Sequence, residues 1–241
     1  MTGIPLPASL DDELDRIDEI ISGRIRLRPE VEQIAAPHAL RPRTDRTRGA
    51  LVILCARLGS YDRDATAHAA AAVELIQAAT LLHDELIDRA AVRQENSASD
   101  GWHQNVALMV GDYLFALAAS EMALAPDPRI MAYYSQSVMA ICEGQLAPVR
   151  LTTPYETARR QYDYTVDRKM ATLFQAACQA GGVCGAVSET VRGALGRYGH
   201  ALGMALALRA DALDYRTGAA RALQLGAITL PLIYAVEAGG L

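Results

Sequence analysis

Leu81-Leu82-His83-Asp84-Glu85-Leu86-Ile87-Asp88 sets three carboxylates into the end of an apolar, alanine-rich run that begins near Ala69. Asp84 and Asp88 are four apart and Glu85 and Asp88 three apart, so on a helix all three fall on one side. Like charges on adjacent turns cost a few tenths of a kcal/mol per pair in water and more when partly buried, unless a cation neutralises them. Mg²⁺ takes carboxylate oxygens and completes its shell with water and substrate phosphates, so one reading of the triplet is a hard-cation site for a phosphorylated ligand. The other is a solvated acidic turn, a common helical surface.

With 241 residues and 51% hydrophobic content, the chain has enough material for one large core. Cys55, Cys142, Cys178 and Cys184 lack metal-ligand spacing and sit in apolar runs, which reads as four reduced, buried thiols in a cytoplasmic protein. The net charge of −5 gives no basic surface for nucleic acid. Met1 to Asp12 has no signal-peptide core, and no apolar run is read as reaching the roughly 18 residues of a spanning helix.

Working outward, the periodicity predicts helices and no strand. Leu10, Leu14, Ile17 and Ile21 recur at helical spacing behind Ser9 and an acidic first turn. Further helices are predicted at 49–58, 65–89, 105–123, 128–146, 154–181, 188–215 and 220–237, with breaks at Gly101, Pro126-Asp127-Pro128, Thr152-Thr153-Pro154 and Gly181-Gly182. The fold class is therefore an all-α, single-domain helical bundle. Asp211-Ala212-Leu213-Asp214 lies late in one of these helices, after an apolar stretch. Two distant helices thus each carry carboxylates into the bundle, and facing each other they would line a central cavity as a two-sided cage for Mg²⁺ and diphosphate.

Five blocks in order resemble the trans-isoprenyl diphosphate synthases, also called polyprenyl synthetases. They are Glu74 to Asp88 with Arg93 and then Leu108-Met109-Val110-Gly111-Asp112-Tyr113-Leu114; Glu143-Gly144-Gln145; Lys169 to Phe174; Leu213-Asp214-Tyr215; and Gly226 to Leu232. The resemblance runs from about Ala35 onward, leaving residues 1–34 as an N-terminal helical arm and 35–241 as the synthase-like domain. It implies an isoprenoid-synthase-like fold and a Mg²⁺-dependent prenyltransferase acting on an allylic prenyl diphosphate. By position, Asp84, Glu85, Asp88, Asp211 and Asp214 are the implied metal ligands. The resemblance likewise implies that Lys169 acts with Asp84 and Asp88 in catalysis and that Arg93, Arg41, Gln145 and Lys169 contact substrate. Lys169 is the only lysine in the chain.

The departures from the family pattern are specific. The stretch that binds isopentenyl diphosphate reads Ala36-Pro37-His38-Ala39-Leu40-Arg41-Pro42, keeping one arginine of its cations. Gln77 stands for a histidine, Gln94 for an arginine, Ala210 for the first aspartate of the second motif, Ala207 for a glutamine, Met170 for a threonine and Ala227 for a lysine. Each lost cation removes a charged hydrogen bond worth about 1.5–3 kcal/mol. Arg41, Arg43, Arg46 and Arg48 form a basic patch that reads as a solvated loop, with binding of a second diphosphate by a different arrangement as the alternative.

The chain stops at Gly239-Gly240-Leu241, where the resemblance implies further helices, so the domain is read as shortened. Three functions are consistent with this pattern: a diverged polyprenyl diphosphate synthase, a weakly active or non-catalytic subunit of a hetero-oligomeric synthase, and an enzyme that ionises an allylic diphosphate for another acceptor. The resemblance implies a homodimer, or a heterodimer with a full-length synthase, through the helices at 105–123 and 128–146. Thr80 and Ala79, four and five residues before Asp84, carry no aromatic floor, which predicts an open tunnel for long prenyl tails.

Overall fold

The computed structural model describes residues 6–26, 29–40, 42, 45–92, 98–147, 149–216 and 221–239, with side chains described except at 88–92, 98–104 and 221. Among these residues there are helices and no strand, as expected. In chain order they are α1 (Asp11–Ile25), α2 (Pro29–Ala39), α3 (Thr47–Ala56), α4 (Arg63–Val92), α5 (Ala98–Leu124), α6 (Arg129–Leu146), α7 (Tyr155–Val166), a π-helical turn (Asp167–Ala171), α8 (Thr172–Cys184), α9 (Glu189–Arg216), α10 (Arg221–Gln224) and α11 (Leu230–Gly239).

The alanine-rich run explains the arrangement. Ala69, Ala70, Ala71, Ala72, Val73, Leu75, Ile76, Ala78 and Ala79 are all buried, so α4 is apolar on every side and forms the central helix. Short side chains let α1, α3, α5 and α8 approach it closely. Leu10, Leu14, Ile17, Ile21 and Ile25 bury the whole inner face of α1 in the same core, each contributing about 1.5–3 kcal/mol. A smaller core lies under α7, α9 and α11, formed by Ala158, Tyr162, Val166, Ala207 and Ile233.

Several boundaries differ from the sequence reading for identifiable reasons. Gly181-Gly182 does not break the chain; α8 runs through it to Cys184. A Cβ on Gly181 would lie 2.3 Å from the Val52 carbonyl oxygen, so this glycine permits contact with α3 instead of ending a helix. The backbone of α5 likewise passes through Gly101. The helix α2, with Pro37 inside it, was not predicted, and 220–237 divides into α10 and α11 around 225–229.

Two segments, Arg63–Ile87 and Asn105–Leu124, are long and apolar enough to cross a membrane by length and composition, contrary to the expectation that none reaches that length. The apolar window of the first is 83% buried within the bundle, which makes it a core helix; that of the second is 28% buried. Leu108, Met109 and Leu124 on α5 and Met131, Met139 and Leu146 on α6 are exposed. All four cysteines are free, and Cys142 is exposed on α6 instead of buried.

Candidate active site

The acidic turn sits toward the C-terminal end of α4, where the helix leaves the closed core. Asp84 and Glu85 are each half-buried, and each faces a nitrogen-bearing side chain from a different part of the chain. Lys169 Nζ lies 3.5 Å from Asp84 Oδ1, and His38 Nε2 lies 3.3 Å from Glu85 Oε2. Lys169 comes from the π-helical turn between α7 and α8, and His38 from the last turn of α2. Of the sequence-predicted residues, the structure thus brings together Asp84, Glu85 and Lys169. Arg41 and Arg93, and the side chain of Asp88, lie outside the described residues.

Local packing fixes the direction of this turn. A Cβ on Gly111 would lie 2.1 Å from His83 Nε2, so the imidazole occupies the space that a side chain on α5 would fill. His83 Nε2 is 3.3 Å from the Leu108 carbonyl oxygen and 3.6 Å from Asp112 Oδ1. The neighbour of Asp84 is thereby keyed into the Val110-Gly111-Asp112 stretch, which gives a physical reason for these two blocks to occur together.

A second network anchors α4 one level below. Glu74 Oε1 accepts the Gly49 amide at 2.7 Å, and Glu74 Oε2 is 3.7 Å from Arg46 Nη1. Arg46 Nη2 donates to Asp18 Oδ1 at 2.5 Å and to the Ala39 carbonyl at 2.7 Å. Arg48 is buried with its guanidinium 4.1 Å from the centre of the Phe174 ring, a cation–π contact. The solvated basic patch expected for Arg46 and Arg48 is therefore corrected: both are core residues, 1% and 4% exposed. Sequence reasoning missed them, although Glu74 in the middle of an all-apolar helix was a signal, because a buried carboxylate requires a buried partner.

The second acidic pair is differently placed. Tyr162 on α7 donates its hydroxyl to Asp211 Oδ2 at 2.6 Å, and Asp214 Oδ2 accepts the Ala222 amide at the start of α10, 3.0 Å away. Burial, and secondarily the charge of Asp214, hold the Asp211 carboxyl above the usual carboxylate range. Among the described residues, which leave out the Asp88 side chain, no three His, Cys, Asp or Glu side chains converge as a metal cage. The first motif offers hard oxygen donors on Asp84 and Glu85, the donor type a divalent metal takes. The second has one oxygen of each carboxylate engaged by a protein donor and fits less well. Gln145 Oε1 is a buried acceptor without a hydrogen-bond partner. Ala79 is fully buried and Thr80 nearly so, with its hydroxyl on the Ile76 carbonyl; the open space expected there is filled by core packing.

The sequence profile described as "Polyprenyl synthetase" matches residues 30–239. The chain belongs to the polyprenyl synthetase family. It is 31% identical over 237 residues to heptaprenyl diphosphate synthase component 2 of Geobacillus stearothermophilus, covering 95% of this chain and 74% of the relative. It is 29% identical to octaprenyl diphosphate synthase of Escherichia coli strain K12 over 202 residues, 80% of this chain and 62% of the relative. Among solved structures it resembles the polyprenyl synthase of Caulobacter crescentus CB15, complexed with calcium and isoprenyl diphosphate, with a TM-score of 0.82 and 29% identity over 96% of this chain and 73% of the other. Polyprenyl synthetase membership and the all-α fold thus agree with the sequence reading. Of the blocks that carry the resemblance, those holding Asp84, Gly111, Gly144 and Lys169 meet around the acidic turn.

Proposed function

We propose that this chain is a prenyltransferase that binds an allylic prenyl diphosphate at the Asp84 turn and transfers or elongates the prenyl chain. The observation that carries this is the 3.5 Å approach of Lys169 to Asp84, which puts the sole lysine of the chain at its acidic motif from 85 residues further on. Asp84, Glu85 and Asp88 would hold Mg²⁺, with Asp211 and Asp214 offering at most one oxygen each. Bound there, the metal would supply charge neutralisation to the departing diphosphate. Lys169 donates to a diphosphate oxygen as negative charge accumulates on it, and Arg93 and Arg41 are assigned to the same anion. Gln145 is assigned to substrate through its amide. The apolar core behind α4 excludes water from the allylic end, favouring carbon–carbon bond formation over hydrolysis.

A second reading, a subunit of a hetero-oligomeric synthase, is favoured by two observations. Tyr162 and the Ala222 amide engage the second acidic pair, and α5 and α6 expose Leu108, Met109, Met131 and Met139 on their outer sides. A relative bearing the name component 2 is consistent with a partner chain. The same exposed face serves a homodimer. Both readings place the protein in the cytoplasm. Incubation with Mg²⁺ and a labelled allylic diphosphate, with and without isopentenyl diphosphate and a full-length synthase, separates them. Chain elongation by the protein alone supports the first, and elongation only with the partner supports the second. Diphosphate release that needs no isopentenyl diphosphate indicates a different acceptor, and no turnover or binding in any arm refutes both.

A further inference from the structure

We infer that His200 is a positioning residue that, through Asp167, sets the direction in which Lys169 reaches Asp84. This rests on Lys169 being the cation that faces the diphosphate. Lys169 sits in the middle of a five-residue π-helical turn, Asp167–Ala171, where the Thr172 amide reaches back to the Asp167 carbonyl. Such a turn carries one residue more than an α-helical turn, and at about 100° per residue that insertion re-aims every following side chain. Which way Lys169 points therefore depends on where along the helix the extra residue is held.

Three contacts hold it. His200 Nε2 on α9 lies 2.5 Å from Asp167 Oδ1, tying the first residue of the turn to a neighbouring helix. Thr172 donates its hydroxyl to the Arg168 carbonyl at 2.8 Å, satisfying an acceptor that the widened turn leaves open. Backbone proximity supplies the third contact. A Cβ on Gly144 of α6 would lie 2.7 Å from Arg168 Cβ and 2.9 Å from Lys169 Cγ, and a Cβ on Gly203 of α9 would lie 2.7 Å from Ala171 Cα. The turn is thus gripped between two glycines, one on each flanking helix. The steric grip fixes its depth, and the His200–Asp167 bond, which joins the turn to another helix, opposes sliding of the extra residue along the axis. Arg168 cannot take over this role, because its guanidinium is shared between Asp167, at 3.7 Å, and Glu143, at 3.5 Å.

Because Lys169 is the only lysine, protein labelled with ¹³C-lysine gives one side-chain Cε resonance, a direct reporter of its surroundings. The spectra to compare, in metal-free buffer, are those of wild type, His200→Ala, His200→Gln and Arg192→Ala. The last removes a buried cation on the same helix and controls for general loss of stability. The inference requires the resonance to move and broaden in His200→Ala, to return toward the wild-type position in His200→Gln, whose amide nitrogen reaches the place of Nε2 and can still donate to Asp167, and to stay in place in Arg192→Ala. An unmoved resonance in His200→Ala, or an equal movement in Arg192→Ala, overturns it. Addition of Mg²⁺ and inorganic pyrophosphate to wild type then tests the underlying assignment separately. A resonance that ignores the added diphosphate refutes the role of Lys169 at the substrate and leaves the His200 result standing.

Discussion

Tyr162 donates its hydroxyl to Asp211 across the gap between α7 and α9, so a residue of the second acidic motif is tied into the scaffold by a phenol. Burial pushes the Tyr162 phenol above its ordinary range, and the hydrogen bond to the carboxylate pushes it further. The two acidic motifs are therefore unequal: the one on α4 faces Lys169 and His38, and the one on α9 is joined to the fold.

Their substitutions should separate accordingly. Asp84→Asn is expected to weaken Mg²⁺-dependent pyrophosphate binding by about 10–100-fold, the loss of one charged contact. Asp211→Asn, which still accepts from Tyr162, should stay within about threefold on the same reasoning. Calorimetry with and without EDTA measures both, and equal losses would make the two motifs equivalent.

Alkaline stability follows from the tyrosines. Tyr162 and the fully buried Tyr134 both have phenols raised above the unfolded value, chiefly by burial. Their contribution is intact below about pH 10 and is lost as pH rises above it, because the unfolded chain releases its protons first, by up to about 1.4 kcal/mol per pH unit and group. Urea midpoints across that range should fall less steeply in Tyr162→Phe than in wild type.

Gly144→Ala introduces a methyl group between α6 and the turn that carries Lys169. The expected cost is about 1–3 kcal/mol of overpacking, with a fall in turnover larger than the fall in folded fraction. Thermal melts and initial rates on the same preparation give the comparison.

Ala79→Phe distinguishes a packed core from a substrate tunnel. Ala79 is fully buried with no space beside it, so the larger ring should destabilise by at least about 1–3 kcal/mol. A variant as stable as wild type that discriminates against longer prenyl tails would show instead that an open channel passes this residue.

Thiol chemistry gives a simple check of the packing. Cys142 is exposed, Cys55 and Cys178 are buried together, and burial pushes the Cys184 thiol up to about 12. Iodoacetamide at mildly alkaline pH should modify Cys142 alone, with the other three reacting only in denaturant. Mass spectrometry of the native protein reads this as a single addition.

Much of this architecture was legible in the chain because it follows from periodicity and composition. Leu10, Leu14, Ile17 and Ile21 announce the buried face of α1, and the alanine run announces a helix buried on all sides. The pairing of Lys169 with Asp84 was legible only through resemblance, since spacing of 85 residues carries no geometric information. Gly181-Gly182 was misread because glycine that breaks a helix and glycine that admits a neighbour look alike in one dimension. Arg46 and Arg48 were misread because a run of arginines signals solvent unless the buried acid they neutralise is known. The π-helical turn has no sequence signature; it arises where Gly144 and Gly203 allow the backbone to be squeezed.

The solitary lysine also makes the site a proteolytic clock. A lysine-specific protease has one bond to cut in this chain, after Lys169, and cleavage there yields pieces of 169 and 72 residues. Helical backbone held between α6 and α9 cannot enter a protease cleft, so each cut records one local opening of the turn. The rate at which the 72-residue piece appears is thus a measure of how firmly the turn that carries Lys169 is held, obtainable without substrate, label or assay.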